Sequence, residues 1–159
     1  MSDDIIDADE LFYAHPDWPM LVEKTLSGHL SDLDDLQRTR YLLGILLGEV
    51  GNGGVEQWFQ NQGALAGETV EALRNVAAFQ TADKLVTLGA FFPDGRPSAD
   101  DHERAVQIES LSANEEFQNE MDSFDKWLMG EMVSDEEFVF GDEDILELFS
   151  SYQQRMQIN

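Results

Sequence analysis

The sequence has no cysteine, and it carries nine basic residues against 33 acidic ones. Without cysteine there can be neither a disulfide framework nor a thiolate metal site. Long apolar runs are missing too: the longest, "YLLGILLGEV" (41–50), is about half the length that spans a bilayer, so no transmembrane helix is expected. The first ten residues, "MSDDIIDADE", are acidic where a secretory signal is basic and contain no apolar core of useful length, which predicts a cytoplasmic location. The shortage of bases is the strongest of these deficits. It leaves a net charge of 9 − 33 = −24. Nucleic acid and anionic membranes are polyanions bound through Lys and Arg, so neither is expected as a partner, and a basic protein is the natural complement.

What is present suffices for one hydrophobic core. With 42% apolar residues in 159, the charge does not indicate disorder, and one compact domain over 1–159 is expected. Apolar spacing is helical throughout. Leu33, Leu36, Leu43, Leu47 and Val50 share a stripe that Leu42, Ile45 and Leu46 widen, which predicts a central helix buried on most sides. Phe117, Met121, Phe124, Leu128 and Met132 form a second stripe, and Ile145, Phe149, Tyr152 and Met156 a third. Ser31, Ser98, Ser112 and Ser134 each stand three before an acid (Asp34, Asp101, Glu115 and Glu137) and predict helix starts. Pro19 opens a helix that closes near Gly28, while "FFPDGRPS" (91–98) and Gly141 predict breaks. Only "EFVF" (137–140) hints at a strand. The expected fold class is all-α, a single compact multi-helix domain of eight or nine helices with an acidic surface.

Motifs for catalysis or cofactors are not found. "GEVGNGGVEQWFQNQG" (48–63) is glycine-rich, yet Gly54 is followed by Val55 and Glu56 where a phosphate loop needs Lys and Ser or Thr, and a helix precedes it where a dinucleotide site needs a strand. Its expected role is structural: Gly51, Asn52 and Gly53 adopt left-handed conformations that end one helix, and a second begins near Gly54 and packs Trp58 and Phe59 inward. Neither "FPDGRPSADDHE" nor "FGDEDILE" keeps the calcium-loop register. His15, His29 and His102 lack a partner at zinc spacing and are expected in turns or on the surface. No nucleophile elbow occurs, and paired carboxylates are too abundant to single any out, so no enzyme activity, cofactor or metal is expected. A hydrolase with a carboxylate-held metal is the catalytic alternative.

The charge is uneven. Residues 1–40 carry ten acids and three bases, 41–100 seven and three, and 101–159 sixteen and three, so the region 98–159 is the most acidic. The candidate partner-binding residues are Asp32, Asp34 and Asp35; Glu115, Glu116, Glu120 and Asp122; Asp135, Glu136 and Glu137; and Asp142, Glu143, Asp144 and Glu147, with Asp100, Asp101 and Glu103 as a further cluster. Acids at helix starts stabilise the helix dipole by about 0.3–1 kcal/mol each, which accounts for some of them. Ordinary helix surfaces, however, interleave Glu with Lys. A B-DNA duplex carries about one charge per 1.7 Å, so 24 charges match roughly 40 Å of duplex, about the span of a compact chain of this length.

Residues 46–95 add a resemblance. "LLGEVGNGGVEQWFQNQG" followed by "VEALRNVAAFQTADKLVTLGAFFPDG" resembles the small acidic DNA-mimic protein family: an Asn-Gly-Gly turn, a short aromatic helix with Gln and Asn, an Ala-Leu helix, then a helix ending in Phe-Pro. The resemblance implies a helical fold without catalytic activity. It also implies a partner, since the best understood member occupies the DNA-binding surface of a helix-turn-helix transcription factor. The shared motif holds few acids, so mimicry rests separately on the net charge. Together they predict a homodimeric DNA mimic that blocks such a factor from DNA. The alternative is an inhibitor or immunity-type protein that neutralises a basic nuclease or nucleoid protein, and a purely structural acidic domain is the plainest reading.

Overall fold

The computed structural model describes residues 7–132, 134–135, 138–139 and 141–158. Among them are seven α-helices: α1 (Trp18–Leu26), α2 (Asp35–Gln62), α3 (Ala66–Asn75), α4 (Phe79–Gly89), α5 (Asp101–Leu111), α6 (Glu115–Met129) and α7 (Ile145–Ile158). The fold is all-α, a single helical domain. The β-structure among the described residues is a minimal antiparallel pair, β1 (Glu131–Met132) and β2 (Phe138–Val139), with Glu131 opposite Val139.

Helix α2 is central, as its apolar stripe predicts, and packs against α1, α3, α5, α6 and α7, while α4 closes on α3 and α6. Leu42, Leu43, Leu46 and Val50 are buried, as are Trp58 and Phe59 beyond the glycines. Aromatic rings tie the layers together. Phe59 lies 5.1 Å from Phe92, which meets Phe117 of α6 edge-on at 5.8 Å, and Phe12 stacks on Phe149 of α7 at 5.0 Å. Burying rings of this size supplies much of the core's stability.

Several boundaries differ from the sequence expectation. The Asn-Gly-Gly segment does not end α2; the chain stays helical through Asn52, and only Gly53 and Gly54 leave the helix, with a positive φ (79°) at Gly54 alone. The result is a kinked helix where two were expected, one reason for seven helices and not eight or nine. The predicted serine caps are displaced: Asp34 caps α2 in a box with Gln37, Asp100 caps α5, and Asn114 caps α6. Each accepts from the N–H three residues on, as a cap must. Ser134 opens no helix and falls between the two strands; Glu137 lies outside the described residues. The stripe on α6 stops before Met132 because Gly130, at φ 91°, ends the helix after Met129.

Candidate functional site

Bases are scarcer on the surface than in the sequence, because two of the nine are buried. Arg104 of α5 is 1% exposed. Its guanidinium donates to the carbonyls of Phe59 (2.8 Å), Gln60 (2.8 Å) and Ser98 (2.9 Å) and pairs with Asp101 (2.7 Å). It thereby caps the C-terminal turn of α2, where a cation also suits the helix dipole. Arg40, 2% exposed, donates to Leu11 O and Gln153 Oε1 beneath the Phe149 ring, and burial lowers its pKa. Sequence reasoning missed both. The signal was present, since Arg40 interrupts the stripe of Leu36, Leu43 and Leu47, and Arg104 stands one turn before the buried Ile108.

Seven bases remain, and two of these are already matched: Arg38 by Asp35 (2.5 Å) and Lys126 by Asp122 (2.9 Å). Asp122 holds the exposed Lys126 above its usual pKa through their hydrogen bond and charge. Against these, no acid among the described residues is buried, and only Asp17, Glu49, Glu56, Asp125 and Glu143 are even partly covered.

The predicted acidic residues divide by what holds them. Asp34 and Asp144 cap α2 and α7, accepting from Gln37 N and Glu147 N while remaining exposed. Glu143 is committed to the fold. Its carboxylate accepts from Gln80 N (3.0 Å), Thr81 N (2.7 Å) and the Thr81 hydroxyl (2.6 Å), closing the N-terminus of α4, and that hydroxyl accepts from Trp127 Nε1. Asp32, Glu115, Glu116, Glu120, Asp135, Asp142 and Glu147 are exposed and bond no other described side chain. Glu116 and Glu120 stand one turn apart on the same flank of α6. Glu136 and Glu137 lie outside the described residues.

The glycine segment binds a carboxylate of the protein itself. Asp125 of α6 accepts from Val55 N (2.7 Å), the first amide after the kink, and a Cβ at Gly54 would stand 2.7 Å from the same carboxylate. Burial, with Asp122 and Glu56 nearby, raises the Asp125 pKa despite that hydrogen bond. Beside the kink Glu49 accepts from Gln57 (2.8 Å) and Asn61 (3.0 Å), so the motif's amides serve the local structure.

Between α2, α6 and the start of α7 lies an apolar groove of about 640 Å³. Tyr13, Leu47, Leu128, Met129, Ile145 and Leu146 line it, together with Glu143 and Asp144. Gly48 and Gly51, one turn apart on α2, contribute no side chains to it.

Among the described residues no three His, Asp or Glu side chains converge as a metal site, and no helix is long and apolar enough to cross a membrane. The histidines occupy turn and surface positions: His15 Nδ1 accepts from Asp17 N, and His29 and His102 are exposed. Neither a curated protein nor a solved structure matches the chain. A family model described as DMP19-like protein matches residues 31–153, well over half of the sequence, and the chain belongs to that family.

Proposed function

We propose that this protein is a DNA mimic: it offers exposed carboxylates to the DNA-binding surface of a basic protein, of the helix-turn-helix transcription-factor class, and so keeps that protein from DNA. The observation that carries this reading is the separation of charge between surface and interior. Arg40 and Arg104 are withdrawn and spend their donors mainly on backbone carbonyls, whereas the described carboxylates all reach solvent. Their burial serves the fold and at the same time leaves the described surface with still fewer bases to offset its carboxylates. The resemblance of residues 46–95 supports the partner class.

Contacts of this kind are charge pairs at a wet interface, screened by salt. The partner should be retained on the immobilised protein at low salt, be released by competing duplex DNA, and be identified by mass spectrometry as a transcription factor. Its affinity in a calorimetric titration should fall at least about tenfold between roughly 50 and 300 mM salt. An affinity indifferent to salt would sink the mechanism. A nuclease or nucleoid protein as the retained species would shift the reading to an inhibitor acting by the same electrostatics.

A further inference from the structure

Carboxylates alone attract any cation, so selection of a partner needs an apolar contact as well, and the groove between α2, α6 and α7 is shaped for one. Its volume of about 640 Å³ admits several side chains. Gly48 and Gly51 keep it open at a cost to α2, since glycine inside a helix is about 1 kcal/mol worse than alanine. A Cβ at Gly51 would come within 3.2 Å of Met129 Cε, so the glycine leaves the groove wall bare. Of the lining side chains Met129 is 37% exposed, and methionine adapts its shape to varied partners.

Charge decides between occupants. Among the described residues no base lines the groove; Asp144 does, and Glu49 lines a neighbouring shallow cavity that shares Tyr13 and Gly48 with it. A second copy would bring another −24 and repel. An occupant with an apolar face flanked by Lys or Arg would satisfy both the groove and its surroundings.

We propose that this groove receives the apolar face of a basic amphipathic helix of the partner, with Asp144 and Glu49 opposite its cations. This rests on the reading of the protein as a binder of basic proteins and adds where specificity resides. Helix-in-groove recognition of this type concentrates affinity in a few apolar anchors.

The test uses two labelled 14-residue helical peptides of equal positive charge, one with a leucine face and one with an alanine face, titrated into the full chain by fluorescence anisotropy. The leucine peptide should bind at least about tenfold tighter, and Gly51→Leu, which fills the groove while favouring the helix, should remove that advantage. Leu146→Gln should weaken the leucine peptide alone, and an unchanged thermal melt would certify that both variants fold. Equal binding of the two peptides, or a Gly51→Leu protein that keeps the preference, overturns the groove assignment and leaves the acidic surface intact as a cation binder. Binding of neither peptide at low salt overturns the partner class as well. A tenfold gain on Ile5→Ser with Ile6→Ser would make the chain's own N-terminal segment the occupant, and self-association abolished by Gly51→Leu would make it a second copy; either overturns the proposal.

Discussion

Arg104 shows how much one side chain can hold when each of its three nitrogens donates. Three backbone carbonyls from two separate segments converge on its fork. Truncation removes all of these bonds, leaves Phe59 O with the Gly63 N–H alone and opens a cavity where the buried side chain packs, so Arg104→Ala should lose roughly 3 kcal/mol in urea denaturation. Arg104→Lys should recover little, because an ammonium cannot reproduce the planar fork. Asp125 behaves oppositely, since its folded-state pKa is raised, chiefly by burial. Its charge therefore opposes folding at neutral pH, and its contribution improves as pH falls through the raised value, reaching its full extent below the ordinary carboxylate value. Asp125→Asn keeps an acceptor for Val55 N without the charge. It should raise the melting temperature at pH 7 and remove the part of the pH dependence just above the ordinary carboxylate range. An unchanged pH profile would show that Asp125 titrates normally.

Among the elements, the same steric rule acts in two directions. Gly54 has φ 79° and no space for a Cβ beside Asp125, so Gly54→Ala should cost about 1–3 kcal/mol. Ala77 has φ 68° in the turn between α3 and α4, a conformation that disfavours any Cβ, and Ala77→Gly should raise stability by about 1 kcal/mol. Thermal melts of the two variants check both signs. The Ala77 turn also shows why some boundaries were illegible: "NVAAF" holds no glycine or proline, and the break is set by what α3 and α4 pack against. The starts of α5 and α6 were located to within two residues and that of α2 to within three, each assigned to the wrong side chain, while Ser134 starts no helix. Serines three before an acid looked like capping boxes, whereas Asp34, Asp100 and Asn114 make the bonds. A carboxylate or amide oxygen serves as a cap as well as a hydroxyl, so in a chain this acidic the local pattern is degenerate.

For the molecule as a whole, 33 acids on one small helical domain must repel. Added salt should therefore stabilise the fold itself, raising the melting temperature by several degrees between about 10 and 500 mM sodium chloride, while weakening any basic partner. A melting temperature that falls with salt would indicate that ion pairs such as Lys126 with Asp122 outweigh the repulsion. Helical periodicity, the central position of α2 and the sign of the surface were all legible from residue order, because amphipathic spacing and net charge are properties of the chain before it folds. Which carboxylates remain available was not legible. Glu143 sits in a dense acidic cluster and looks free, yet the N-terminus of α4, more than sixty residues away, consumes both of its oxygens. Arg104 looks like a surface base and instead joins α5 to the end of α2. The groove has no sequence signature, since α2, α6 and α7 each supply part of its wall. Charge and periodicity are sums over the chain and its local segments, whereas burial, hydrogen bonding and concavity exist only once distant segments meet.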